Sequence, residues 1–409
     1  MTSQIARIEE KEPLLRRSGT EKAAWTIGEH GEQLAIRPTR LDGRGRGRQY
    51  VPMIQKSRFY ILDLVRLLAI LTMIQGHTLY ALVSPDISVF PWNLWSFMRG
   101  LTAPVFLIVS GAVQIFANRR DDEGKLLGTV IFRRTRWFLL LLAVGYAMCI
   151  PSELFHGPEH VSQEKWDILF RVHILQLIGV TGLFYLAVMV STRSNRTFAI
   201  ASLAIGAGFI AATPLVHSLD AYAVMPKWAA NYFGAPGHFG RDTLFPIFPF
   251  SAYMFLGAGL GWIVKRAHPD RRINLFIKVT LLAGLPLAAA GAPEWIRSDS
   301  PAFWCTSPWS VIFRTGLSLL AMTLVGLVYP LIRRFELFFA RIGKKALHIF
   351  VAHLLLLYGG PGFGGIVYSI SIPLALIEGI GVALLLIVVC VAGALTLDWI
   401  QRRFVTSGS

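Results

Sequence analysis

The chain has 409 residues, 54% of them hydrophobic, and a formal net charge of +16 at neutral pH. Its mean hydropathy of +0.53 is too high for a soluble protein of this length, because a water-exposed surface would need far more charged side chains. The basic residues lie mainly in the amino-terminal segment and in short connections between apolar runs. This distribution is typical of membrane topology and argues against nucleic-acid binding, so we expect the protein to contact membrane lipid.

In chain order, residues 1–57 come first and are rich in Arg, Glu and Gly. They contain too little apolar surface to offset the entropy of chain ordering, so we predict a disordered, basic cytoplasmic tail. Residues 58–400 are predicted to form one transmembrane domain, and residues 401–409 a second cytoplasmic tail. The three cysteines match no metal-binding spacing, so we predict no metal site.

Apolar segments long enough to cross about 30 Å of hydrocarbon recur along this domain. Alternate connections carry most of the Lys and Arg residues, which predicts that both termini are cytoplasmic. The expected fold is an all-α, polytopic transmembrane helix bundle of about ten spans, a multi-pass protein of the plasma (inner) membrane. The predicted spans cover residues 59–83, 93–117, 128–150, 167–191, 197–216, 244–264, 273–292, 309–332, 343–358 and 372–398.

Ionisable side chains are concentrated in the first span, where Asp63, Arg66 and His77 are embedded in apolar sequence. At about 100° per residue, Arg66 and His77 are within roughly 20° of three full turns, and all three side chains share one helix face. Charged groups in hydrocarbon cost several kcal/mol, so such residues usually face a bundle interior or a water-filled cavity. We expect Asp63 and Arg66 to pair near the cytoplasmic end, with His77 roughly 16 Å further along.

Later spans contribute further polar groups, most of them at the predicted level of His77. For Arg171 and Arg314 the alternative is a snorkelling side chain at a helix end, and for His77 it is a hydrogen-bonded histidine in a packed interior. The later-span residues are Arg99, Arg171, His173, Gln176, Arg314 and His353.

Several segments resemble transmembrane acyltransferases. Residues 62–69, followed by His77, are similar to the family's first-helix signature of an Asp, an Arg three residues later and a His eleven residues after the Arg. Other segments resemble one branch, the heparan-alpha-glucosaminide N-acetyltransferase-like membrane proteins and their bacterial relatives. These segments are residues 102–111, 174–181, 244–250 and 342–350 with His353. The chain departs from the pattern at Leu67, where relatives commonly have Gly, and at Leu177, where they often have Arg.

The resemblance implies a membrane acyltransferase that uses cytoplasmic acetyl-CoA as its donor substrate, with no permanently bound cofactor. The acceptor would be a hydroxyl or amine of an extracytoplasmic glycan or small hydrophilic molecule. His77 would act as the catalytic base or carry the acyl group, and Arg99 and Gln176 would stabilise the oxyanion. Arg66, held by Asp63, would bind the phosphates of the donor.

Four further residues are candidate supporting residues in this scheme: Arg171, His173, Arg314 and His353. Two other classes of protein remain open on the sequence alone. A secondary transporter or a lipid or glycolipid flippase would also line a central path with Arg and His, although no internal repeat typical of such proteins is found. A non-enzymatic membrane subunit would use the same groups only for helix packing.

Overall fold

The computed structural model describes residues 24–27, 33–36, 58–234, 236–239, 242–298 and 303–405. The chain divides into two units, Met1–Arg58 and Phe59–Ser409. In the first unit, the described residues form an antiparallel pair of strands, β1 (Ala24–Ile27) and β2 (Gln33–Ile36). The predicted disordered tail at 1–57 otherwise lies outside the described residues, as do residues 406–409 of the predicted carboxyl-terminal tail.

The second unit is a helix bundle, which confirms the predicted all-α fold class. A short hairpin of β3 (Gly359–Gly360) and β4 (Phe363–Gly364) is its one pair of strands among the described residues. The helices are α1 (Tyr60–Leu82), α2 (Trp92–Gly100), α3 (Thr102–Phe116), α4 (Gly128–Ala147), α5 (Gln163–Leu169), α6 (Ile174–Ser191), α7 (Asn195–Ser218), α8 (Ala221–Val224), α9 (Lys227–Phe233), α10 (Ile247–Lys265), α11 (Arg272–Arg297), α12 (Phe303–Thr306), α13 (Pro308–Ile332), α14 (Glu336–Lys344), α15 (Ala346–Tyr358), α16 (Ile366–Ser369) and α17 (Leu376–Val405).

Eight helical segments in the described part of the chain are long and apolar enough to cross a membrane, so the protein is a polytopic membrane protein. Two predicted spans correspond to helices outside this group. The span at 128–150 corresponds to α4, which carries three arginines, and the span at 343–358 corresponds to α15, which has 13 residues. The count of about ten crossings and the cytoplasmic termini stay predictions. The eight segments are Tyr60–Leu82, Trp92–Phe116, Ile174–Ser191, Asn195–Ser218, Ile247–Lys265, Pro269–Arg297, Pro308–Lys344 and Leu376–Gln401.

Helices α1 and α10 form the centre of the bundle. Within their most apolar windows, 67% and 72% of the residues are buried, against 22% in each of α7, α11 and α17. Helix α10 packs against α3 and α7, whereas α1 packs against α3, α14, α15 and α17. The polar face of α1 is therefore enclosed by other helices, and the peripheral helices present apolar side chains to the surroundings.

Close packing through glycine fixes α3 against α10. A Cβ atom on Gly111 would lie 1.9 Å from the carbonyl oxygen of Met254, and one on Gly257 would lie 2.0 Å from that of Ile108. Only glycine fits at such distances, so the two backbones touch. Tyr185 of α6 donates its hydroxyl to the Gly111 carbonyl oxygen at 2.8 Å, which ties a third helix to the same point.

Candidate active site

A cavity of about 1830 Å³ lies among helices α1, α2, α4, α6, α13 and α15 and the β3–β4 hairpin. It brings together polar residues from four spans that are far apart in the sequence. Those of its lining residues that the sequence singled out are His77, Arg99, Arg171, His173, Gln176 and Arg314.

His77 faces the cavity from α1, which runs unbroken from Tyr60 to Leu82 and so keeps the predicted periodicity. Its Nδ1 atom lies 3.1 Å from Nε2 of His353 on α15, and the two rings meet edge to edge with centroids 5.4 Å apart and planes inclined by 20°. His353 is fully buried and lies behind His77, outside the cavity lining. The ring of Tyr358, near the end of α15, packs edge-on to His77 at 6.3 Å. His77 is thus held between α15 and the cavity.

Arg99 lies against α1 at the level of His77. A Cβ atom on Gly76 would be 2.6 Å from Cγ of Arg99, so the glycine just before His77 makes room for the aliphatic part of this arginine. The guanidinium carbon is 4.3 Å from the ring centroid of Tyr80 and 5.3 Å from that of Trp95. These cation–π contacts position the charge in the wall that also holds His77.

Gln176 lies in the first turn of α6, is fully buried and lines the cavity. It packs against Gly145 of α4, where a Cβ atom would come within 2.9 Å of the glutamine amide. Neither polar atom of that amide has a hydrogen-bond partner among the described residues. Because buried polar atoms are nearly always hydrogen-bonded, this amide is an exception among the described residues.

The segment before α6 is anchored by its backbone. The Val172 carbonyl accepts hydrogen bonds from the backbone N–H groups of Leu244 at 3.0 Å and Phe245 at 3.2 Å. These bonds join the segment 244–250, which resembles the acyltransferase family, to the residues just before the resembling segment 174–181. The anchored segment places its flanking residues Arg171 and His173 in the cavity wall.

Arg314 is buried inside the bundle, so the snorkelling alternative does not apply to it. Only 7% of the residue is exposed, and its Nη1 donates to the carbonyl oxygen of Gly100 at 3.1 Å. Its guanidinium carbon lies 5.7 Å from the ring centroid of Phe97 and 5.6 Å from that of Trp295. Arg314 therefore links α13 to the junction of α2 and α3, directly after Arg99.

The electrostatic character of the cavity is basic. Arg99, Arg171, Arg314 and Lys165 line it, whereas Glu153 is the one carboxylate among the described lining residues. Lys165 donates a hydrogen bond to Glu153 and lowers the pKa of that carboxyl group, so the pair is internally compensated. An anionic ligand would therefore be attracted to the remaining positive charge.

Asp63 and Arg66 lie elsewhere on α1 and do not line the cavity. Arg66 is separated from His77 by roughly 16 Å along the helix axis, and Asp63 by roughly 21 Å. Asp63 is 5% exposed and packs against Gly343 of α14. A Cβ atom on Gly343 would be 3.2 Å from the Cβ atom of Asp63. The guanidinium carbon of Arg66 lies 5.9 Å from the ring centroid of Phe106.

The sequence did not predict the aromatic residues of the cavity wall. Tyr80, Trp295 and Tyr358 line the cavity, but aromatic residues near membrane interfaces are expected in any membrane protein. Only Tyr358 had a usable signal in the sequence, because it directly precedes the glycine-rich break that begins at Gly359. In the structure Gly359 has a φ of 86° and ends α15. Among the described residues, no group of three or more His, Cys, Asp or Glu side chains is arranged to hold a metal ion.

A polytopic helix bundle around a basic cavity that contains a histidine is compatible with a membrane-embedded group-transfer enzyme. Residues 58–294 match the family described as heparan-alpha-glucosaminide N-acetyltransferase, catalytic. The match covers more than half of the chain, so the protein belongs to this family and is a membrane acetyltransferase. No curated protein gives a significant match. The matched segment includes His77, Arg99 and Gln176, whereas Arg314 and His353 come from the chain beyond it.

Proposed function

We propose that the protein transfers an acetyl group from cytoplasmic acetyl-CoA to a hydroxyl or amine of a glycan or small hydrophilic acceptor across the plasma membrane. The observation that carries the proposal is the cavity, whose wall holds His77, Arg99 and Gln176 together. Its volume of about 1830 Å³ is larger than the roughly 300–1,000 Å³ of a pocket for one small ligand. It is large enough for the acyl end of a donor and an acceptor together.

His77 is the proposed general base. Its neutral imidazole accepts the proton of the acceptor hydroxyl or amine while the acceptor atom forms a bond to the thioester carbonyl carbon. The carbon–sulfur bond then breaks, and the leaving thiolate takes the proton back from the imidazolium. His77 is placed for this role because it combines a buried partner on one side with the cavity on the other.

Arg99 and Gln176 are the proposed oxyanion donors. The attacked carbonyl oxygen acquires negative charge, which a guanidinium and a preorganised amide N–H both stabilise. The unpartnered amide of Gln176 supports this role, because its hydrogen bonds are not consumed by the protein. Arg171, His173 and Arg314 are proposed to hold anionic parts of the substrates at the same wall.

Asp63 and Arg66 are proposed to act at the donor's other end. Coenzyme A is a polyanion on a long pantetheine arm, and the roughly 16 Å between Arg66 and His77 is of the order of that arm. Arg66 would contact phosphate groups at the inner mouth, with Asp63 orienting it. The bound thioester would then reach the cavity from the cytoplasmic side.

The proposal is tested by incubating detergent-purified protein with acetyl-labelled acetyl-CoA and a panel of glycans, glycolipids and amino sugars. We expect labelled acceptor from the native protein, and turnover lower by at least about 10³-fold in His77→Gln. The matched control is His217→Gln, which replaces a buried histidine of α7 that bonds the Phe248 carbonyl oxygen and does not line the cavity.

The variants are compared at equal thermal stability and equal acetyl-CoA binding. Near-normal turnover in His77→Gln would remove the catalytic assignment. If no acceptor is labelled, while vesicles containing the protein accumulate an intact substrate, the cavity is a transport path instead.

A further inference from the structure

The contact between His77 and His353 determines where the protons of both rings lie. Nδ1 of His353 is 3.3 Å from the backbone carbonyl oxygen of Ile349, one turn earlier in α15. A carbonyl oxygen can only accept a hydrogen bond, so Nδ1 of His353 carries a hydrogen and donates it. In a neutral ring, Nε2 of His353 then carries the lone pair.

That lone pair faces His77. Nε2 of His353 is 3.1 Å from Nδ1 of His77, and an accepting nitrogen requires a donating partner. His77 therefore carries its hydrogen on Nδ1, and its Nε2 is the nitrogen with a free lone pair. Since Nδ1 is directed at a fully buried residue, Nε2 is also the nitrogen left for chemistry in the cavity.

We propose that His353 is a positioning residue that holds His77 in the Nδ1–H tautomer, so that Nε2 is the reacting nitrogen. This inference rests on the proposed function of His77 as the base. The backbone carbonyl of Ile349 fixes the hydrogen of His353 on Nδ1. His353 in turn fixes the hydrogen of His77 on Nδ1. The two ring planes differ by only 20°, and the edge contact of Phe350 with His353 at 5.2 Å restrains the second ring.

The arrangement also acts during the reaction. When Nε2 of His77 accepts the acceptor's proton, the ring becomes an imidazolium, and its Nδ1–H bond to His353 becomes charge-assisted. A proton cannot pass beyond His353, because Nδ1 of that ring already donates to a carbonyl oxygen, which is not a base. The positive charge stays within the two rings until the leaving thiolate takes the proton from Nε2 of His77, so His77 begins and ends each turnover in the same tautomer.

Two amide substitutions at His353 separate the two ends of this chain. In His353→Gln, an amide oxygen reaches the former position of Nε2 and can accept from His77. In His353→Asn, the shorter amide reaches only the former position of Nδ1 and keeps the bond to Ile349. We expect kcat to fall roughly 10²-fold in His353→Asn but less than about tenfold in His353→Gln, with the acetyl-CoA and acceptor KM values nearly unchanged in both.

The spectroscopic test uses protein labelled with nitrogen-15 histidine, in which signals are assigned by comparison with His77→Gln and His353→Gln. We expect the native His77 signal to report hydrogen on Nδ1, and the signal in His353→Asn to report hydrogen on Nε2. Equal kcat in the Asn and Gln variants, or an Nε2–H tautomer in the native protein, would overturn the inference. If both His353 variants are fully active and His77→Gln is inactive, the positioning role of His353 is wrong and the proposed function of His77 is retained.

Discussion

The two ends of the helix bundle use their arginines and lysines in different ways. At the end where α3 and α6 terminate, Arg120, Arg134 and Lys265 donate hydrogen bonds to backbone carbonyl oxygens in the last turns of helices or just after them. Those carbonyls carry the negative end of the helix dipole, so each cation completes a helix terminus. The acceptors at helix ends are Gln114, Ile115, Met189 and Thr192, and Arg120 also donates to Gly124 in the loop between α3 and α4.

At the cavity end, two arginines lie near aromatic rings, and one of them, Arg314, also donates to the carbonyl oxygen of Gly100 at the end of α2. Arg99 lies over Tyr80 and Trp95, and Arg314 lies near Phe97 and Trp295. Contact with a ring uses the flat face of a guanidinium and leaves N–H groups at its edge able to bind an anion or a developing oxyanion. The same residue type therefore completes helix ends at one end of the bundle and, in Arg99, lies on aromatic rings in the cavity wall at the other.

The largest effect is expected at the cavity end. Arg99→Ala should lower kcat by about 10²–10³-fold while changing thermal stability little, because an oxyanion donor is lost and no helix terminus depends on it. Steady-state acetyl transfer and thermal unfolding in detergent measure both quantities. Arg99→Lys keeps the charge and should recover part of the rate. A collapse of stability with no specific loss of kcat would place Arg99 with the helix-capping cations.

The opposite pattern is expected for Arg120→Ala. Removing this side chain takes a donor from the carbonyl oxygens of Gly124 and Thr192 and one of two donors from that of Met189, so the free energy of unfolding should fall by about 2 kcal/mol. Thermal unfolding measures the loss, and kcat per folded molecule should equal that of the native protein. A lower kcat at unchanged stability would show that the capped end takes part in catalysis.

Arg66 tests whether the capped end also contains a substrate contact. Arg66→Ala should raise the acetyl-CoA KM roughly tenfold with little change in kcat, because one phosphate contact is worth about 1.4 kcal/mol and its loss affects binding rather than chemistry. Arg119→Ala, an exposed arginine at the same end, is the matched control. Equal KM values for the two variants would argue against the phosphate role.

The smallest functional effect accompanies the test of orientation. One variant is Glu159→Cys, in the connection between α4 and α5 that also contains Glu153, at the cavity end. The other is Arg196→Cys, beside Asn195, which contacts Arg120 at the capped end. Both positions are exposed, so turnover should be unchanged. An impermeant thiol reagent should label the first variant from outside cells and not the second, relative to the native cysteines. Labelling in the reverse order would invert the predicted topology.

Sequence periodicity predicted what depends on one helix. The shared face of Asp63, Arg66 and His77 follows from 3.6 residues per turn, and the structure keeps α1 continuous across them. Hydropathy also located most helices to within about five residues, although α6 begins seven residues after the predicted start at 167, α17 extends seven residues beyond the predicted end at 398, and the span at 93–117 is divided at Leu101 into α2 and α3. No residue of α2 is buried. Hydropathy did not predict this, because burial depends on which helices pack against α2 and not on the apolar residues that α2 contains.

Contacts between distant segments could not be predicted in the same way. The sequence placed His353 nearer the membrane centre than most of the polar groups, but its contact with His77 depends on how α15 packs against α1. The burial of Arg314 and the ring contacts of Arg99 depend likewise on crossing positions of helices. A single sequence does not show where helices cross. It therefore cannot distinguish an arginine that snorkels to the membrane surface from one that lines a cavity, because both occur near helix ends.

The pairing of His77 with His353 also has a consequence for biosynthesis. The two residues are 276 positions apart in the chain. At a synthesis rate of about 5–20 residues per second, the first histidine is made roughly 15–55 s before its partner. During that interval α1 must reside in the membrane with an incomplete polar surface, and the nascent protein depends on its late helices, or on the insertion machinery, to shield it.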